Sequence, residues 1–516
     1  MLDKWIDRIG NWNPQLFKEL KSRISVTQAI ATISVSILMQ VAIALYFNFT
    51  LSSLPSKLAG TLHFLNWLVP IVLILGSIYT LGADLDREHQ QGTLDFIRLT
   101  PQSARSIYLG KILGVPSSIY LGTLVAVPLH AILAINTGFG LLRLLGWYGT
   151  IGMATYFGLS LVTLYTLHSG KSPILTTLLC ALPVHGSINA YNYYLDPAIA
   201  KHISVGASGK PLFLWFYLPM AGNDTLLLNS FIICTLSAIC YWLWIKIDRS
   251  YINPASTSFT KEHSYLMNAQ VQVWLLGFAL PIATGIERHN LFGFYILIAL
   301  FYSISAVWIL AIVPLILPAR QSTYEWNRDL REHISHEYRH WWQQNRVRDL
   351  TWHDRSPIVV AIFLNLVISV TVLGLCCSIF IDDRQLLLRS ICGLILMSIL
   401  ILIYTTVVQM IALLPSTRKH GSISLRILLS CLPLLLVVTA TASEGVRNLV
   451  LNLLLFSPLS WAGIWHLSLP NIGTIVFGQI GMLAGVTKLL QRRLHKLTSV
   501  AQQPSQQKLA LGRKNI

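Results

Sequence analysis

The sequence predicts an all-α polytopic transmembrane helical protein of about twelve spans, arranged as two pseudo-repeated six-helix halves. Composition is the first reason. Of 516 residues, 54% are hydrophobic and only 11% are charged, whereas a soluble domain carries about 25% charged residues. Apolar runs are the second. Stretches of the length that crosses a hydrocarbon core recur near 25–49, 63–83, 111–135, 145–168, 172–192, 226–247, 270–287, 291–317, 357–381, 388–414, 424–441 and 470–490. The third is the sorting of charge. With the N-terminus inside, 30 of the 38 Lys and Arg residues fall on one side, as the positive-inside rule requires. The net charge of +17 therefore reports topology rather than a polyanionic ligand, and no nucleic-acid partner is expected. Both termini are expected to be cytosolic, in a multi-pass protein of the plasma (inner) membrane. The seven cysteines all fall within apolar runs and form no disulfide framework or metal site.

Residues 1–24 read as an amphipathic interfacial segment. Asn13 caps and Pro14 opens a helix carrying Leu16, Phe17, Leu20 and Ile24 on one stripe, with Lys18, Glu19 and further charges elsewhere. Such a helix lies on the inner membrane surface, in contact with its lipids. The first six-helix half follows, over 25–250, and contains a charged elbow at 84–110. There Glu88 ends a polar helical run and Gly92 breaks it. Thr93, Leu94, Asp95, Phe96, Ile97, Arg98 and Leu99 can make about two helical turns before Pro101 stops them. Ser103 can cap the helix that runs through Lys111. Leu94, Phe96, Ile97 and Leu99 form too apolar a surface for an idle loop, and such a helix suits a groove in a soluble partner.

The elbow has the pattern E-x-x-x-G-T-L-[DE]-x-[IL]-x-x-[TS]-P-x-S, carried by Glu88, Gly92, Thr93, Leu94, Asp95, Ile97, Pro101 and Ser103, with Gly110 and Lys111 following. It resembles the coupling helix of the ATP-binding-cassette type-2 transporter permeases. The run Asn13-Pro14-Gln15-Leu16-Phe17-Lys18-Glu19-Leu20 is similar to the interfacial helix that opens many permeases of that family. The resemblance implies a membrane-spanning permease subunit of an exporter, coupled to a separate ATP-binding-cassette ATPase subunit in two copies. Glu88, Gly92, Thr93, Leu94, Asp95, Phe96, Ile97 and Pro101 would receive the motion of that partner. Pro14, Phe17, Lys18 and Glu19 would belong to the sliding interfacial helix. ATP and Mg would sit on the partner, and this chain would have no cofactor and no enzymatic activity of its own.

A cytosolic linker is expected at 251–268, then a second, divergent six-helix half over 269–495. Its cytosolic loop, 319–356, takes the position of a second elbow but lacks the motif. Residues 446–468 are apolar enough to cross, yet a thirteenth crossing would put the basic tail outside, so a re-entrant element is expected there. The tail, 496–516, reads as disordered and basic.

Other features tempt enzymatic readings. His336-Glu337-Tyr338-Arg339-His340 has the H-E-x-x-H spacing of a zinc metalloprotease, the chief enzymatic alternative, but Arg339 stands between the ligands and no third ligand follows at a familiar spacing. A non-transporting membrane scaffold or assembly protein is the other alternative. Gly170-Lys171-Ser172 has Tyr165 where a phosphate-binding loop needs its first Gly. Polar residues inside spans are costly, and Gln40, His130, His185, Asn189, Asn365 and Gln409 are the candidates for a transport pathway, with Gln40, His185, Asn189 and Asn365 foremost. Interhelical hydrogen bonding is the competing role for each.

Overall fold

The computed structural model describes residues 10–93, 102–169, 173–194, 214–219, 225–253, 256–285, 291–334, 346–414 and 469–512. They are helical almost throughout, apart from a two-stranded hairpin, Leu214–Trp215 with Leu218–Pro219. Ten helices among the described residues are long and apolar enough to cross a membrane. The expected run at 172–192 is also a helix, Pro173–Tyr194, and the run at 424–441 lies outside the described residues.

The chain divides into two compact units, one of Met1–Leu214 with Leu218–Pro254, the other of Trp215–Tyr217 with Ala255–Ile516. In the first unit, α1 (Pro14–Arg23) is capped as the sequence indicates, with Leu16 N donating to Asn13 Oδ1 at 3.0 Å. α2 (Val26–Thr50) opens on a reciprocal capping box between Ser25 and Gln28. α3 (Leu54–Gln90) is a single long helix. It starts nine residues before the apolar run at 63 because Ser53 caps it and Pro55 suits its first turn. Pro70 removes one donor from its ladder, and Ile71–Gly76 directly beyond it are π-helical.

The run at 111–135 is two helices rather than one. α4 (Ala104–Gly114) stops before Pro116, and α5 (Ser117–Asn136) starts after it, because a proline inside a helix lacks its donor and crowds the preceding turn. Ser103 caps α4, accepting from Ser106 N at 3.2 Å. α6 (Leu141–Ser169), α7 (Pro173–Tyr194) and α8 (Thr225–Ile252) complete this unit. Its core joins Leu65, Ile74, Ile78 and Leu81 of α3 to Ile107 and Ile112 of α4 and to Trp147 and Ile151 of α6.

The second unit contains α9 (Lys261–Gly285), α10 (Leu291–Ile316), α11 (Arg320–Ile334), α12 (Arg346–Trp352), α13 (Val359–Phe380), α14 (Arg384–Ala412) and α15 (Leu469–Gly512). α9 starts inside the segment expected as linker, since Lys261 is buried and anchored rather than solvated. α15 continues to Gly512 through the tail expected to be disordered; its Gln, Lys and Leu residues are good helix formers. Buried Ile309 and Ile312 of α10, Ala361 and Ile362 of α13, and Met397 and Ile401 of α14 supply the core residues of this unit. Large apolar side chains such as Val26, Leu38, Phe49 and Leu124 remain exposed along the spans, as a surface solvated by lipid tails allows.

Candidate functional site: a charge cluster between α1, α3 and α4

The described ends of the elbow converge on one lysine. Lys111 of α4 is 1% exposed. Its Nζ donates to Asp84 Oδ2 at 2.7 Å and to Glu88 Oε1 at 2.8 Å, both on the last turns of α3. Glu19 Oε1 of α1 lies 3.7 Å from the same nitrogen. Arg23 closes the ring, donating to Glu19 Oε2 at 3.1 Å and also to Asp84 Oδ1. Three carboxylates thus share two cations, leaving one net negative charge. Burial disfavours the Lys111 ammonium, but Asp84 and Glu88 outweigh that cost and hold its pKa above the ordinary 10.5. Glu88 Oε2 has no hydrogen-bond partner among the described residues.

Small residues make this convergence possible. Gly110 and Gly114 lie one turn apart on α4 and face α1. A Cβ on Gly110 would sit 2.7 Å from Leu16 N, and one on Gly114 would sit 2.5 Å from Glu19 Cβ. Only glycine lets the two backbones approach so closely. Asn13 secures the near end, its Nδ2 donating to Ser106 O at 2.8 Å. On the other side of α4, Arg105 pairs with Asp248 of α8 at 2.6 Å.

The sequence-predicted residues divide as follows. Glu88 and Glu19 are in the cluster. Pro14 opens α1 on its exposed side, Lys18 is exposed, and Phe17 is half-buried with Lys21 Nζ 5.6 Å above its ring. Gly92 adopts a left-handed φ of 68° with open space around it, which suits a helix end. Thr93 Oγ1 donates back to Glu88 O at 3.2 Å. Leu94, Asp95, Phe96, Ile97 and Pro101 lie outside the described residues, as do His336, Glu337 and His340 of the H-E-x-x-H run and the re-entrant element 446–468. Asp84, Arg23 and Gly114 were not singled out from sequence. Their only signal was the four-residue spacing of Gly110 and Gly114 and the charge left at the end of an apolar run.

Each pathway candidate bonds within its own unit. Gln40 of α2 donates to Ser36 Oγ at 3.2 Å and to Val125 O at 3.5 Å. His185 and Asn189 bond each other along α7 at 2.8 Å. Asn365 of α13 donates to Ser264 Oγ and Ala361 O, each at 3.0 Å. It belongs to a buried ladder in which Asn268 donates to Asn365 O and Ser369 Oγ, and Gln272 to Ser305 and Ser369. That ladder ties α9, α10 and α13 together. His130, also a polar candidate from the sequence, is fully buried in the first unit between Tyr148 Oη and Asn66 Oδ1, both at 2.9 Å. Asn66 Oδ1 can only accept, so Nε2 of His130 carries the proton and Nδ1 accepts from Tyr148.

Fold and site define the class, an all-α multi-pass membrane protein. Comparison with protein-family models, with curated proteins and with solved structures returns no match.

Proposed function

We propose that the chain is the membrane-spanning permease subunit of an ATP-binding-cassette exporter, driven by a separate ATPase subunit present in two copies. The observation that carries this reading is the cluster of Glu19, Arg23, Asp84, Glu88 and Lys111. It binds the surface helix α1, the end of α3 just before the elbow, and α4 just after it into one body. A force applied to the elbow would reach α3 and α4 at once, and α1 would move with them. The pairs made by Lys111 are largely buried, so they resist the screening that weakens surface pairs. The elbow residues 93–101 would dock in the ATPase, with Leu94, Phe96 and Ile97 as anchors and Glu88 holding the entry. ATP and Mg belong to the partner in this reading, and both termini face the cytosol of a plasma (inner) membrane.

Photolabelling tests it. The tagged chain, purified under mild conditions, should bring with it a second polypeptide that takes up azido-ATP label while this chain stays unlabelled. Label on this chain, or labelled material that is absent from the purified complex, would overturn the reading.

A further inference from the structure

The first unit contains a cavity of about 600 Å³ between α2, α3 and α5. Thr32, Val35, Ser36, Met39, Gln40 and Ile43 supply one wall at helical spacing; Leu65, Leu68, Val69 and Val72 supply the second, and Gly122 and Ala126 part of the third. Its size lies within the roughly 300–1,000 Å³ typical of small-molecule sites. Most hydroxyls at its walls are already committed. Ser36 Oγ donates to Gly122 O at 2.8 Å, Thr32 Oγ1 to Gln28 O at 2.9 Å and Thr123 Oγ1 to Ile119 O at 2.9 Å. Hydrocarbon is the complement of such walls.

Gln40 breaks the apolar character in one direction only. The side chain is 8% exposed. Both of its hydrogen bonds, to Ser36 and Val125, use the amide nitrogen. Among the described residues its carbonyl oxygen accepts none, on a residue that lines the cavity. A carbonyl left without a donor in the membrane interior is costly, and a ligand bearing one hydroxyl or amide N–H would satisfy it.

The geometry points to a binding site for a long-chain amphiphile whose polar end is a hydrogen-bond donor, seated between α2, α3 and α5 with that donor on Gln40 Oε1. α2 is a candidate span with exposed Val35, Leu38 and Met39, so the ligand would enter from the membrane. The inference is independent of the transport reading, because it concerns occupancy of this groove and not what an ATPase does to it.

Photoaffinity labelling in phosphatidylcholine nanodiscs tests it, with a diazirine-bearing hexadecanol and the matching diazirine hexadecane as probes. The alcohol should label peptides spanning 31–43 and 118–126 more strongly than the alkane, by roughly three- to tenfold for one hydrogen bond. Excess unlabelled hexadecanol should suppress that labelling, and hexadecane should not. Gln40→Leu should reduce the alcohol to the alkane's level while leaving the alkane unchanged, which also reports an intact groove. Ala126→Phe should reduce both. Equal labelling of the wild-type protein by alcohol and alkane, or hexadecanol that fails to compete, would overturn the proposal without need of any variant.

Discussion

Lys111 and Asp84 meet 2.7 Å apart, Nζ to Oδ2, across 27 residues of sequence, with the lysine 1% exposed. Removing one partner of such a buried pair costs more than the pair itself contributes, because the survivors stay behind desolvated and unmatched. Lys111→Met should leave Glu88 without a cation and Asp84 with Arg23 alone, and destabilise the protein by about 3–5 kcal/mol. Thermal unfolding of the detergent-solubilised chain checks this. A variant as stable as the wild type would mean that the cluster is solvated.

The same lysine gives a pH dependence whose sign is fixed. Its pKa in the folded state is raised above 10.5, so its stabilisation is fully present below the unfolded value and is lost as pH rises through the folded one. Melting temperature should therefore show no loss from this group between about pH 7 and about pH 9, and should fall beyond about pH 10.5. Lys111→Met should remove part of that alkaline fall. Parallel alkaline profiles for the two proteins would contradict the assignment.

Gly114→Val tests the close approach of α1 to α4. The added carbon would sit 2.5 Å from Glu19 Cβ, and overpacking of this kind costs about 1–3 kcal/mol. α1 should lift from α4 and carry Glu19 and Arg23 out of the cluster. Faster amide exchange across 14–23, with little change in α6, is the expected readout.

In the second unit, Lys261 is 1% exposed, and its Nζ donates to Leu350 O, Ser356 Oγ and Pro357 O at 2.8, 2.5 and 3.0 Å. Lys261→Met would leave these acceptors without their donor, at about 1–3 kcal/mol for each buried group left unpaired. Amide exchange over 346–356 should quicken in the variant. Unchanged protection there would show that α12 is held by other contacts.

The helices were legible because hydropathy and capping chemistry are local. Asn13 and Pro14, Ser103 and Gly92 each announce a helix end, and each end stands where those residues place it. Pro116 carried the same kind of signal and went unread, because the apolar run continues through it. What sequence could not show is partnership. Lys111 was visible as a motif residue, but Asp84 and Arg23 join it only after α1, α3 and α4 cross. Asn365 was visible as a polar residue in a span, but its partner Ser264 is 101 residues away, and only packing reveals it as part of a ladder.

If the elbow between α3 and α4 receives a partner's force, Phe96→Asp should break that contact. An unpaired aspartate in a dry groove costs several kcal/mol, enough to abolish a micromolar contact. Wild-type and variant chains, matched for membrane expression and melting temperature, should be purified side by side and assayed for associated ATP hydrolysis. The wild type should retain the ATPase and the variant should lose it, with the fold of the variant unchanged. Equal ATPase recovery and equal turnover for the two proteins would contradict it.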